Sequence, residues 1–199
     1  MAENKEPTRV VDGIEIPAPG RWEIDSAHSR VGAVARHLMV TKVRGSFGVF
    51  GGAIEVGERP EDSRVEVRID AASIDTGSSD RDQHLRSADF LDVERFPEIT
   101  FVSTKVERAG ETGLRLTGDL TIRGVSRSVT LDAEFDGLIG DPWGGKRVAF
   151  TATTELEREA WGMTWNVAIE KGGVLVSKKI QVEIDVQATS QAAAKSEAA

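Results

Sequence analysis

Apolar side chains alternate with polar ones along several short segments, and this period of two is the feature that most constrains the fold. Residues 64–70 read Arg-Val-Glu-Val-Arg-Ile-Asp, and residues 180–186 read Ile-Gln-Val-Glu-Ile-Asp-Val. Successive side chains of a strand point to opposite faces of a sheet, so both segments are predicted to be half-exposed β-strands. Comparable runs raise the prediction to eight or nine strands, and they lie near residues 31–37, 43–49, 99–107, 114–122, 125–135 and 147–156.

The segments between these strands are short and rich in turn-forming residues. Residues 109–113, 123–124 and 140–145 all contain glycine, which suits tight turns between neighbouring strands. Parallel strands would need crossover connections of about a dozen residues or more, and almost none are available. The sheet is therefore predicted to be antiparallel. The pair Gly51-Gly52 predicts a bulge or bend within one strand.

One segment departs from the strand pattern. Residues 81–87 are predicted to form a short helix, with Asp80 as its N-cap residue and Gln83 as the capping-box partner. A second irregular segment, residues 158–166, holds two tryptophans. The predicted fold class is thus all-β, with about eight antiparallel strands and one or two short helices. Such a sheet protects its edges by closing into a barrel or by pairing as a sandwich, and both remain open at this point.

Composition excludes several classes of protein. The 33 acidic residues outnumber the 25 basic ones, giving a formal net charge of −8, and we identify no basic stripe that would bind nucleic acid. The longest stretches without a charged residue have ten residues, about half of the ~20 that a membrane-spanning helix needs. The absence of cysteine removes disulfides, thiolate nucleophiles and cysteine-ligated metals.

The ends of the chain differ from its middle. Residues 1–20 are predicted to form an extended arm, residues 21–188 the working domain, and residues 189–199, which are low in complexity, a disordered tail. The polar start, Met1 to Arg9, has no apolar stretch behind it, so we expect no signal peptide and a cytoplasmic location.

A series of short blocks runs through the predicted domain in a fixed order. They are Asp-Ser-Ala-His-Ser-Arg-Val (25–31), Arg-His-Leu (36–38), Val-Arg-Gly (43–45), Ser-Ile-Asp-Thr (73–76), residues 81–90, Phe-Pro-Glu-Ile-Thr-Phe (96–101), residues 118–125, and Arg158 with Trp161-Gly162. In this order they resemble the YceI-like, polyisoprenoid-binding family. The resemblance implies a lipocalin-like antiparallel β-barrel that encloses the apolar tail of a prenylquinone or polyprenyl compound, and it implies binding without catalysis.

The resemblance also implies where such a ligand would lie. We expect its tail to contact apolar side chains of the barrel interior, at Val31, Ala33, Ala35, Phe47, Phe101, Phe150, Trp161 and Trp165. His37 and Arg158 are expected to contact its polar head group. Ala33 and Ala35 stand where the family usually has larger side chains, which predicts a wider cavity or a different lipid.

Two other classes of function remain as alternatives. One is a stress-related interaction module whose pocket is filled or vestigial, and the other is an unrecognised enzyme acting on a lipid or quinone. Asp25, His28 and Ser29 supply the residue types of a catalytic triad, but on an extended chain their side chains are expected to diverge. His28, His37 and His84 lack the spacing of a zinc site, so we predict neither a metal nor a cofactor. The sequence leaves open both a monomer and a homodimer.

Overall fold

A computed structural model describes residues 8–11, 13–140, 146–168 and 174–190 of the chain. The described part contains one α-helix, α1 (Ser79–Arg86), and 3₁₀ turns at Ser26–His28, Pro60–Asp62, Ala71–Ser73 and Arg158–Trp161. Its strands are β1 (Thr8–Val11), β2 (Ile14–Pro17), β3 (Gly20–Ile24), β4 (Arg30–His37), β5 (Thr41–Phe47), β6 (Phe50–Val56), β7 (Arg64–Asp70), β8 (Ile74–Asp75), β9 (Glu98–Arg108), β10 (Gly113–Ile122), β11 (Val125–Gly140), β12 (Lys146–Glu157) and β13 (Lys179–Ser190).

Eight of these strands form a closed antiparallel barrel. Their order is β12-β11-β10-β9-β7-β6-β3-β13, and the pairing of β12 with β13 closes the ring. That last ladder is continuous from Arg147 opposite Thr189 to Glu157 opposite Lys179. The predicted antiparallel barrel is confirmed, and the sandwich alternative is wrong because the first and last strands of the sheet pair with each other.

Three walls of the barrel are built from interrupted strands. β13 pairs with β3 at Ala188–Ser190 and with β4 at residues 181–185, so β3 and β4 lie end to end along one neighbour. The next wall consists of β6, which pairs with β3, and β5, which pairs with β4. The third wall consists of β7, which pairs with β6, and β8, which pairs with β5. The helix α1 follows β8 and is fastened beside it, because Arg86 donates hydrogen bonds to the backbone oxygens of Ala72 and Ile74.

The predicted helix exists, but its start was placed wrongly. α1 begins at Ser79, with Ser78 as the N-cap residue, and Asp80 lies inside the helix. The carboxylate that organises this turn is Asp82, which is only 6% exposed. Its Oδ1 atom accepts hydrogen bonds from the backbone N–H of Thr76 at 2.9 Å and from the Thr76 hydroxyl at 2.6 Å. Asp82 thus connects the helix to the residue after β8.

The predicted bulge at Gly51-Gly52 is also wrong. β6 pairs with β7 in one uninterrupted register, from Phe50 opposite Ile69 to Glu55 opposite Arg64. Gly52 is needed for a different reason, because the backbone of β7 lies very close to it. A Cβ atom on Gly52 would lie 2.1 Å from the backbone oxygen of Glu66. Register shifts occur elsewhere, at 117/118 between β10 and β9 and at 135/137 between β11 and β12.

The buried apolar side chains form two clusters instead of one continuous core. The larger lies near α1 and contains Val31, Ile69, Ala71, Ile74, Leu91, Ile99, Ile122, Trp161 and Met163. The smaller lies where β3, β6, β12 and β13 meet and contains Trp22, Ile54, Val148 and Ala188. The barrel interior is therefore packed in two separate places.

The segments at the two ends of the chain are described only in part. β1 and β2 form a small hairpin of their own within the predicted arm, and β13 continues to Ser190, two residues past the predicted domain boundary. Residues 141–145 of the turn predicted at 140–145, and residues 191–199 of the tail predicted at 189–199, lie outside the described residues. Within the ranges that are described, no helix is both long enough and apolar enough to cross a membrane.

The two neighbouring glycines of β6 give a matched test of this packing. Gly52→Ala should lower the free energy of unfolding by about 1–3 kcal/mol, because its methyl group would collide with the backbone of β7. Gly51→Ala has no atom within 4 Å of the added Cβ and should change stability by only about 0.5 kcal/mol. Urea unfolding of both variants measures the difference. Equal stabilities would contradict the close approach at Gly52.

Candidate ligand-binding site

A cavity of about 760 Å³ occupies the barrel interior. It extends from the β1–β2 hairpin at one end, the hairpin end, to α1 and the segment 158–165 at the other, the helix end. An eight-stranded barrel is wide enough either to be filled by its own side chains or to hold one small ligand, and ligand pockets commonly measure about 300–1,000 Å³. The interior of this barrel is hollow, with space for a ligand of that class.

The cavity wall follows directly from strand alternation. On β4 the side chains of Val31, Ala33 and Ala35 face the cavity, and on β5 those of Val43 and Phe47 do so. Ala33 lies directly opposite Gly45 in the β4–β5 ladder, so two very small residues stand side by side on the wall. A filled pocket would require larger side chains over Ala33 and Ala35, and the cavity extends past both.

All the residues predicted from the sequence to contact a ligand lie on the wall of this one cavity. They are Val31, Ala33, Ala35, His37, Phe47, Phe101, Phe150, Arg158, Trp161 and Trp165. Sequence reasoning missed wall residues of the arm, Val11, Ile14 and Ile16, and of the helix end, Leu85 and Met163. Their positions depend on how the hairpin and the helix dock, which no alternation reveals. Ligand contact by any of these residues stays a prediction.

Arg158 is the most unusual polar group of the wall. It is 2% exposed, and burial lowers the pKa of its guanidinium. Its Nε donates to the backbone oxygen of Ser177 at 3.0 Å and its Nη1 to that of Met163. The third nitrogen, Nη2, is buried without a hydrogen-bond partner among the described residues. A buried donor without a partner is costly, so this atom favours an oxygen from a bound molecule.

Aromatic rings surround this arginine at the helix end. The guanidinium lies over Phe90, 5.7 Å from the ring centroid. The rings of His84 and Trp165 meet edge to face at 4.5 Å between centroids, and Phe90 lies 5.0 Å from His84 and 5.4 Å from Trp165. All four residues line the cavity, so its helix end combines aromatic ring faces with the buried cation of Arg158.

The hairpin end has its own, partly buried arginine. Arg9, on β1, donates from Nη2 to the backbone oxygen of Gly57 at 2.8 Å and reaches Glu58 from Nη1 at 3.4 Å. Its Nε is buried without a hydrogen-bond partner in the described part of the chain. Lys146 contacts Glu15 of β2 at 3.4 Å. These contacts hold the hairpin across this end of the cavity.

The histidines have separate partners. His28 contacts Asp25, and His84 contacts Asp89 through Nε2 at 2.9 Å. His37 ends β4 and forms an isolated bridge with Val176. Within residues 8–11, 13–140, 146–168 and 174–190, no three side chains of His, Cys, Asp or Glu form a group that could hold a metal ion.

The Asp25, His28 and Ser29 set differs from its expected arrangement. Asp25 and His28 converge instead of diverging, with Oδ2 and Nδ1 2.8 Å apart, because a 3₁₀ turn folds the chain back between them. The Ser29 hydroxyl accepts from the backbone N–H of Gln187 at 2.9 Å on β13. Asp25 also binds Arg147 of β12. Asp25 and Ser29 therefore fasten the β3–β4 junction to neighbouring strands, while His28 contacts Asp25 within the junction.

Comparison with known proteins gives one consistent result. A family model described as a YceI-like domain matches residues 22–188. A UPF0312 protein of Pseudomonas putida strain W619 is 38% identical over 180 residues, covering 90% of each chain. Protein YceI of Salmonella newport is 34% identical over 180 residues, covering 90% of this chain and 91% of its own.

Solved structures agree with the fold. The YceI protein of Campylobacter jejuni superposes with a TM-score of 0.68 at 28% identity, covering 78% of this chain and 90% of its own. A polyisoprenoid binding domain from Saccharophagus degradans superposes with a TM-score of 0.63 at 14% identity, covering 85% of this chain and 98% of its own. The second similarity is one of fold alone.

Replacing Arg158 tests how much its backbone hydrogen bonds contribute to the stability of the fold. Arg158→Lys keeps a cation but cannot reach both the Ser177 and the Met163 oxygens, so we expect a loss of about 1–3 kcal/mol in unfolding free energy. Arg127→Lys is the control, since exposed Arg127 makes one comparable bond, to the Ala160 oxygen at 3.2 Å, and should lose about 0.5 kcal/mol or less. Chemical denaturation of both variants is the measurement, and similar losses would refute the anchoring role.

The Asp25 carboxylate, at the junction of β3 and β4, predicts that the stability of the fold depends on pH. Burial opposes ionisation of Asp25, but hydrogen bonds from Arg147 and His28 outweigh it and lower its pKa overall. A lowered pKa in the folded state stabilises the protein above the unfolded value of about 3.9, and that stabilisation is lost as pH falls through the folded-state pKa. Asp25→Asn should therefore cost about 1–3 kcal/mol at neutral pH and progressively less below about pH 4.

Thermal unfolding between neutral and acidic pH measures this difference. Asp119→Asn, at an exposed site of β10 where the carboxylate forms no ion pair with any described residue, should stay within about 0.5 kcal/mol of wild type at neutral pH. A stability difference for Asp25→Asn that is constant with pH would contradict the proposed role of the ionised carboxylate.

Proposed function

Because the chain belongs to the YceI-like family, we propose that it binds one long apolar lipid, a prenylquinone or polyprenyl compound, inside its barrel without chemical turnover. The single observation that carries this proposal is the cavity of about 760 Å³, walled largely by aliphatic and aromatic side chains. Storage and transport are both consistent with such binding. The cytoplasmic location expected from the sequence is part of the proposal, and fractionation of host cells tests it.

The chemistry of the wall suits a hydrocarbon tail. Transfer of each CH₂-sized group from water to an apolar site contributes about 0.8 kcal/mol, so a tail of a few prenyl units supplies more than enough free energy to offset its ordering. Branched, unsaturated prenyl units need room at intervals along the wall. The small residues Ala33, Ala35 and Gly45 provide that room on adjacent strands.

A polar head group is best accommodated at the helix end. There Arg158 holds a buried donor that has no partner among the described residues, and the rings of Phe90, His84 and Trp165 surround it. His37 lines the same end of the cavity. A quinone carbonyl or a phosphate oxygen would satisfy the donor, while the rings would contact the first prenyl unit.

The candidate catalytic side chains already bind other protein groups, which supports binding without catalysis. Ser29 is engaged by the backbone of β13, and Asp25 by Arg147. Neither residue is on the cavity wall. A reaction would need a nucleophile and a base that both face the ligand, and Ser29 and Asp25 do not.

Fluorescence titration tests the proposal, because Trp161 and Trp165 line the cavity. A ubiquinone with a short prenyl tail should quench their emission in a saturable way, and its tail-free quinone should do so far more weakly. Native mass spectrometry of protein purified from its own host should show a co-purifying lipid. An empty barrel in repeated preparations, together with no saturable quenching, would refute the proposal.

A cavity-filling substitution gives the sharpest test. Ala35→Phe places a ring in the cavity and should weaken quinone binding by about tenfold or more, equivalent to about 1.4 kcal/mol. Ser128→Phe, on the exposed outer side of β11, is the matched control and should leave binding unchanged. Differential scanning calorimetry accompanies both titrations. A large loss of stability for Ala35→Phe alone would mean that the site is already packed, contrary to the proposal.

A further inference from the structure

The turn between β4 and β5 displays bulky apolar side chains to solvent. Leu38, Met39 and Val40 are 42%, 50% and 77% exposed. Leu38 and Met39 have φ angles of 52° and 61°, and the N–H of Val40 donates to the oxygen of His37 at 3.1 Å. Such left-handed turn positions favour Asn and Gly, and side chains like Leu and Met are strained there. Local folding thus gives no reason for apolar residues at this tip.

A fourth exposed apolar residue lies beside the tip. The backbone of Leu38 donates to the oxygen of Leu175, and Leu175 in turn donates to the oxygen of Val167, which is itself exposed. Four of the seven large apolar residues exposed in the described part of the chain are therefore gathered here. We call Leu38, Met39, Val40 and Val167 the apolar tip.

Basic side chains flank the apolar tip. Arg36 and Lys42 are direct partners in the β4–β5 ladder, and Arg44 follows on the same outer face of β5. All three are exposed and form no ion pair with any residue in the ranges that the structure describes. Like charges directly opposite each other destabilise a sheet, so this pair also favours an anionic partner.

The surrounding sequence strengthens that charge. No Asp or Glu occurs from residue 30 to residue 54, although the whole chain carries −8. The nearest acids along the neighbouring strands are Asp75, opposite Ser46, and Glu183, opposite Gly32. The net charge of −8 therefore does not describe this end of the barrel, where the segment 30–54 carries only basic charges.

We propose that the apolar tip and its flanking cations dock the helix end of the barrel on an anionic lipid bilayer. Apolar side chains on a short turn enter the boundary between head groups and acyl chains, while Arg36, Lys42 and Arg44 contact lipid phosphates. His37, between tip and cations, is also a cavity-wall residue, as are Leu175 and Val176 beside it. Docking here therefore places the cavity wall against the membrane surface.

Vesicle flotation with the full chain tests this inference independently of any bound lipid. Wild type should float with vesicles of equimolar phosphatidylcholine and phosphatidylglycerol, weakly with phosphatidylcholine alone, and less as salt rises. The double variant Leu38→Asn/Met39→Gly should bind at least about tenfold more weakly, yet keep or raise the melting temperature, since Asn and Gly accept left-handed backbone. Arg36→Gln/Lys42→Gln should weaken binding similarly and flatten its salt dependence.

Two control variants separate docking from general surface effects. Ile139→Asn removes an exposed apolar residue near the hairpin end, and Arg68→Gln removes an exposed cation on β7; both should float like wild type. Equal losses in controls and tip variants, or no flotation of wild type with either vesicle, would overturn the inference. So would a concentration-dependent dimer in sedimentation velocity that the Leu38→Asn/Met39→Gly variant abolishes, because the tip would then bind a second copy of the chain.

Discussion

The pairing of β12 with β13 is the interaction on which the rest of the structure depends. Because this ladder joins the two ends of the eight-strand sheet, every strand of the barrel has a neighbour on both sides. Backbone groups are then satisfied around the ring, and the side chains that alternate inward share one enclosed space. Small residues on β4 and β5 leave that space hollow. The cavity is thus a consequence of closure combined with side-chain size, and it requires no separate binding domain.

Because the cavity interrupts the core of the barrel, the packed side chains that stabilise the fold must lie around it. The two packed clusters, one around Trp22 and Val148 and the other around Trp161 and Ile74, supply apolar burial on either side of the cavity. Arg158 and Arg9 lie on the wall near opposite ends. Each donates to backbone oxygen, and each has one nitrogen without a partner among the described residues. A bound ligand with a polar end would complete one of these hydrogen-bond sets, so ligand binding and stability are expected to be coupled in this chain.

Alternation in the sequence was sufficient to predict an antiparallel all-β fold and much of the cavity wall. Once strands such as 64–70 and 180–186 are recognised, the inward residues follow from the period of two, which is why Phe101, Phe150 and Ala35 could be placed on the wall before any coordinates. The family resemblance added the barrel where alternation alone left a sandwich open. The predictions that failed depended on contacts that the strand and helix patterns do not show. Asp82 reaches back to Thr76, and Gly52 admits the backbone of β7, and neither relation leaves a local signal.

The net charge is likewise no guide to any one face, since it averages over a surface whose parts act separately. At physiological ionic strength, charges are screened over about 8 Å, so acids on the far side of the barrel contribute little to the field at the β4–β5 turn. The strands next to that turn carry Arg36, Lys42 and Arg44, which form no ion pair with any described residue, beside the apolar tip. A net charge of −8 then opposes non-specific adhesion of the remaining surface to anionic membranes, while the one basic face stays attractive. The uneven distribution of charge would therefore also orient the proposed docking, with the β4–β5 turn facing the anionic membrane and the acidic remainder of the barrel facing away from it.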